Sequence, residues 1–153
     1  MEKDSYENYV IRKPVIFGGR PVAYHRDATR IAHLWLSGIN VPETSMSVTV
    51  VPMNKIPTVN PICVIHTHKV DQFVMYFGEP GTFEVLYNLV PPGEKLDNQL
   101  MTEKHQYIIK ETSGFYVPAG VGHNVFFVRV DKPIMEVTFM PQANYDQGPP
   151  ASI

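Results

Sequence analysis

Three imidazoles and one amide stand where this sequence could do chemistry. His66 and His68 sit one residue apart in ICVIHTH, Gln72 follows four residues after His68, and His123 comes behind the turn PAGVGH at the start of HNVFFV. Side chains alternate along an extended chain, so Ile62, Val64, His66 and His68 share one face, while Cys63 and Ile65 make the other face apolar. A strand apolar on both sides is covered on both. Two imidazoles turned into such an interior are costly unless something satisfies them, and a metal ion does. A tight turn at KVD then leads into QFVMYF, where Gln72 shares a face with Val74 and Tyr76; a hairpin there returns Gln72 beside the two histidines. Taken alone, a His-x-His pair is found as readily on a solvated surface as at a ligand site.

The elements that must hold these residues read as short strands. SMSVTVVPM, ICVIHTH, QFVMYFG, GTFEVLYNLV, HQYIIK, GFYVPAG, HNVFFVRV and IMEVTFM are β-rich runs, separated by breaks such as GEPG, PPGEKLDN, ETSG and DKP. Many short strands joined by Pro and Gly turns predict an all-β sandwich or barrel. RDATRIAHLW is the best helix candidate, but its apolar spacing is poor and RIAHLWLSG reads equally well as a strand. The first 45 residues are less regular, with one or two strands expected to cover or extend the barrel. The tail PQANYDQGPPASI has little apolar content and is expected to be loose at its end.

Composition narrows the function classes. The chain has 153 residues, 44% hydrophobic and 18% charged, which predicts a globular fold of one domain with a proper core. A net charge of -2 without a basic block argues against a nucleic-acid partner held by phosphate neutralisation. No stretch approaches membrane-spanning length, and MEKDSYENYV has acids and a Tyr where a signal peptide needs an apolar run, so a cytoplasmic setting is expected. Cys63 is the only cysteine, which rules out an internal disulfide and a CxxC site.

The two histidine motifs together resemble the cupin superfamily. Its first motif has HxH, three or four residues, a Glu and then a Gly, read here as His66, His68, Gln72 and Gly78; its second, PxGxxH, is matched by Pro118, Gly120 and His123. The departures are Asn60-Pro61 where a Gly precedes HxH, Gly78 one residue early, Gly114 close to Pro118, Phe127 where Asn is frequent, and Gln72 in place of Glu. The resemblance implies a jelly-roll β-barrel over residues 45–141, with a less regular extension over 1–44 and a loose tail over 142–153. It also implies one divalent ion (Zn, Ni, Mn or Fe) on His66, His68, Gln72 and His123, with the metal-facing nitrogens of the three histidines within about 4 Å of one another. Single-domain cupins pair through edge strands, so a homodimer using the segment before residue 45 is expected.

An amide ligand cancels none of the ion's charge, which favours polarising a carbonyl over activating oxygen. Similar cupins with three His and a Gln are isomerases, cyclases and lyases, so the expectation is a non-redox metal enzyme acting on a small oxygen-rich carbonyl or sugar-acid substrate. An iron-dependent dioxygenase and a non-catalytic small-molecule binder are the alternatives. Tyr76, by its face, and Glu136, which interrupts an apolar strand, are the acid/base candidates. A barrel aromatic packed in the core and an outward, solvated carboxylate are the ordinary readings of the two. Glu84 interrupts a strand in the same way. Phe127 shares the face of His123 and is expected to line the pocket. Cys63 is expected opposite the ligands as a small buried hydrophobe. His25 and His33 read as ordinary surface or half-buried histidines, and His105 is ambiguous.

Overall fold

Alternation of buried and exposed side chains builds the strands. In β4 (Gln72–Phe77) Gln72, Val74 and Tyr76 are buried while Phe73 and Phe77 face outward. The structure is a computed structural model describing residues 15–17, 33–36, 38, 41–94 and 105–143. Those residues form nine strands. They are β1 (Val15–Phe17), β2 (His33–Leu36), β3 (Ser47–Met53), β4, β5 (Phe83–Val90), β6 (Gln106–Ile109), β7 (Ser113–Val117), β8 (Gly122–Val130) and β9 (Ile134–Met140). Among the described residues there is no α-helix, and none long and apolar enough to cross a membrane.

The strands make two antiparallel sheets, one in the order β1-β2-β3-β9-β4-β7 and one in the order β6-β5-β8. Neighbours far apart in sequence, such as β3 with β9 and β5 with β8, require the chain to cross repeatedly between sheets. That connectivity is a jelly roll. Val51, Val74 and Ile134 of the large sheet join Val85, Ile109 and Val125 of the small one in a single buried cluster. The RIAHLWLSG stretch contains β2, a strand; residues 26–32 of the helix candidate lie outside the described residues, as do His25, the side chain of His33 and most of the tail.

ICVIHTH departs from the regular strand expected of it. It runs beside β8 without forming a continuous ladder, and His66 exchanges backbone hydrogen bonds with His123 in an isolated bridge. Side chains take the places of the remaining ladder. The Asn60 amide donates to the Phe127 carbonyl at 2.7 Å and accepts from the Phe127 N–H at 2.9 Å, and Asn124 Nδ2 donates to the Cys63 carbonyl at 3.4 Å. A second irregularity lies between β5 and β8. Glu84 pairs with Arg129 and Val85 with Phe127, so Val128 is an extra residue bulged outward.

Candidate metal centre

The two motifs are brought together by backbone contacts. Gly120 N–H donates to the His68 carbonyl at 2.9 Å, and Gly120 makes its turn at φ 81°, a conformation suited to glycine. Asp71, beside Gln72, accepts from the Tyr116 hydroxyl at 2.7 Å and from the Ala119 N–H at 2.9 Å. These two bonds hold its carboxyl below the usual carboxylate range. The turn carrying His123 is thereby tied to the segment carrying His66, His68 and Gln72.

His66, His68 and His123 are all buried, and one nitrogen of each lies within 4.8 Å of the others. The cluster is somewhat wider than the 4 Å or so expected of a shared ligand sphere. Carbonyls decide which nitrogen carries the proton. His66 Nδ1 lies 2.9 Å from the Val64 carbonyl and His123 Nδ1 lies 3.3 Å from the Val121 carbonyl. A carbonyl only accepts, so Nδ1 is the N–H in both rings and Nε2 keeps the lone pair. Metal-binding histidines are oriented in this way. Burial, aided by the neighbouring His68 and opposed by the Val64 carbonyl, pushes His66 down to about 4, so at neutral pH the ring is in the form that can ligate.

Gln72 is also buried, and its Nε2 donates to His123 Nε2 at 2.7 Å. Half a turn of the amide would exchange nitrogen for oxygen at that spot. Three imidazoles and an amide oxygen are a donor set that fits a divalent ion.

The cavity beside the cluster holds about 350 Å³, counting its open mouth, and His66, Gln72 and His123 form part of its wall. Glu136 faces it from β9, between Val51 of β3 and Tyr76 of β4 in register. Its side chain is therefore inward, and Tyr76 donates its hydroxyl to Glu136 Oε2 at 2.7 Å. Burial, opposed by that hydrogen bond, pushes the half-buried Glu136 carboxyl up to about 7. Tyr76 is fully buried in the core and reaches the cavity only through Glu136. Desolvation and then the Glu136 charge raise the Tyr76 phenol well above its ordinary value.

Other residues depart from their expected places. Cys63 lines the cavity together with Ile62, because the irregular segment does not keep strict alternation. It is nonetheless buried, and desolvation, with the Glu136 charge adding to it, pushes its thiol up to about 12. Phe127 does not line the cavity. It packs in the core, and Asn124 and Val125 take the wall on β8. Glu84 points outward and lies 3.1 Å from Lys110. His105 is buried away from the cluster, with Nε2 2.9 Å from Glu94.

Three wall residues went unmarked in the sequence: Tyr87, Asn124 and Thr138. Tyr87 lies near parallel to the His123 ring, 6.1 Å between centroids, and stacks on Phe115 at 4.8 Å. The alternation Phe83, Val85, Tyr87 in β5 was the available signal for it, as was Thr138 two residues beyond Glu136. Asn88 and Asn124 are a buried amide pair, directly opposite in register, with Asn88 Nδ2 donating to Asn124 Oδ1 at 2.8 Å.

No family model and no curated protein sequence matches the chain. Solved structures do. A point mutant of Bacillus subtilis oxalate decarboxylase superposes with a TM-score of 0.53 at 13% identity, over 78% of this chain and 28% of that one. An oxalate oxidase in complex with glycolate gives a TM-score of 0.55 at 18% identity, over 86% of this chain and 58% of that one. A further structure of the Bacillus subtilis decarboxylase, described by its Mn(II) centres, gives 0.51 at 12% identity, over 78% and 28%. The chain thus spans between about a quarter and three fifths of the proteins it resembles. At these identities the likeness shows the fold, the cupin jelly roll.

Proposed function

We propose that this chain is a cupin metalloenzyme domain that holds one divalent ion on His66, His68, His123 and Gln72. In this reading it carries out non-redox isomerase, cyclase or lyase chemistry on a small carbonyl substrate. The observation that carries the reading is the convergence of three buried imidazoles within 4.8 Å, two of them with Nε2 left as the lone-pair nitrogen by carbonyls on Nδ1. The Mn(II) centres of a protein with the same fold support a divalent ion here. When bound, such an ion polarises a carbonyl or acidifies water.

The chain's own groups supply the rest. Glu136 is the proton carrier, facing the cavity with a carboxyl near neutrality, where it can both take and return a proton. Tyr76 is a positioning residue, because its hydroxyl holds Glu136 Oε2 and does not itself reach the cavity. Tyr87, Val74, Val125 and Ile62 give the cavity an apolar wall that limits water around the reacting atoms. Homodimerisation belongs to the same proposal. Phe73, Phe77, Tyr116 and Met135, exposed on the outer face of the large sheet, support it.

Elemental analysis of protein purified without a metal-binding tag, beside His123→Ala, tests the reading. About one ion per chain in the wild type and its loss in the variant is the expected result. Iron together with oxygen uptake on a diketone or catechol would replace the Lewis-acid reading with the dioxygenase.

A further inference from the structure

We infer that the cavity beside the three histidines selects small uncharged carbonyl compounds bearing hydroxyl groups, and rejects dicarboxylates such as oxalate. The inference rests on the metal reading above and names the substrate class of that same site. Its ground is the inward placement of Glu136. Of the described residues lining the cavity none is Lys or Arg, and Glu136 is the one carboxylate among them. A dicarboxylate drawn to the ion would lie in the same small, partly dry space as that carboxylate, without a cation on the wall to offset it.

The hydrogen-bonding capacity of the wall points the same way. Tyr76 takes Glu136 Oε2, which leaves the other carboxylate oxygen as an acceptor for a ligand hydroxyl. Asn124 is engaged at both ends, its Oδ1 by Asn88 and its Nδ2 by the Cys63 carbonyl. Thr138 offers one hydroxyl that can donate or accept. On β8 and β9 the wall therefore leaves one open acceptor, the second Glu136 oxygen, and one hydroxyl of either sense, that of Thr138. A ligand with O–H groups satisfies such a wall; one with only carboxylate oxygens leaves it unpaired.

The test uses protein loaded with Mn(II), followed by electron paramagnetic resonance at pH 8, with hydroxyacetone and oxalate as probes on wild type and Glu136→Gln. Glutamine keeps the size and an oxygen for Tyr76 but removes the charge. Hydroxyacetone is expected to perturb the wild-type Mn(II) signal. Oxalate is expected to need at least about tenfold more ligand in the wild type than in Glu136→Gln, the scale of one close like-charge repulsion in a partly screened site. Oxalate binding equally well to both proteins, or in preference to hydroxyacetone in the wild type, overturns the inference and leaves the metal reading standing. A wild type that takes up no Mn(II) removes the metal reading, and the inference with it.

Discussion

His66 and His123 face each other across a single antiparallel bridge, each N–H meeting the other's carbonyl, at 3.2 and 3.0 Å. Their rings stand 4.6 Å apart between centroids. The same pair of residues thus joins the chain's two motifs by backbone and by side chain. Under the proposed metal reading, ligation and tertiary closure would be one event.

An ion at this site should therefore stabilise the fold by mass action. At a free concentration a hundred times its Kd, about 2.7 kcal/mol is expected, because the unfolded chain separates His123 from His66 and His68. Melting curves of chelator-treated protein with and without Mn(II) measure it. His123→Ala should abolish the shift. A shift that persists in that variant would place the ion elsewhere.

Gln72→Glu tests the amide. The added charge should tighten metal binding and reduce Lewis acidity, so metal content should stay equal or rise while kcat falls. Gln72→Ala should lose metal through the missing ligand. Turnover unchanged or improved in the Glu variant would sink the non-redox reading.

Glu136 gives a pH signature in metal-free protein. Its carboxyl is raised from 4.5 to about 7 in the fold, so the folded state holds a proton that the unfolded state releases. Below 4.5 both states are protonated and nothing is lost; stability falls as pH rises from there to 7, by on the order of 3 kcal/mol in full. Glu136→Gln keeps an oxygen for Tyr76 and should remove this part of the slope. The comparison is of Tm at pH 5 and pH 8 for the two proteins. Parallel curves would mean that the carboxyl is not buried in solution.

Two glycines should respond oppositely to alanine. A Cβ at Gly78 would lie 2.7 Å from Phe83 Cε1 and 2.8 Å from Ile134 Cγ2, both in the buried core, whereas at Gly114 the nearest atom is Met75 Cγ at 3.4 Å. Gly78→Ala should cost about 1–3 kcal/mol of overpacking, read as a Tm lower by roughly 3–10 °C. Gly114→Ala should be close to neutral. Equal losses would show that the tight approach at Gly78 relaxes.

Cys63 should resist alkylation. Its thiol is pushed up to about 12, so at pH 8 almost none is thiolate, and although it lines the cavity it should react with iodoacetamide only after unfolding. Rapid modification of the native protein would contradict that environment.

The strands were legible as β-rich runs such as QFVMYF and IMEVTFM bounded by Pro and Gly breaks, and so was the all-β class. The histidine cluster was legible because HxH and PxGxxH report a local turn and a local face. Legibility stopped where side chains replaced backbone pairing. Parity put Cys63 on the wrong side because ICVIHTH forms isolated bridges and no continuous strand, and it put Phe127 in the cavity where the structure packs it in the core, beside the bulge at Val128. Glu136 was left between inward and outward readings because a lone acid in an apolar strand carries no mark of its partner. The partner, the Tyr76 hydroxyl, lies on another strand 60 residues earlier.

Asn60 stands where the resembling motif has a glycine, and its amide occupies both backbone groups of Phe127. Along that margin of β8 the His66 bridge, the Asn124 side chain and the Asn60 amide leave no continuous row of open N–H and C=O groups for a foreign strand to copy. One side chain thus acts as a bumper against self-templating. A chain with alanine there could keep its fold and its histidines and still begin to polymerise.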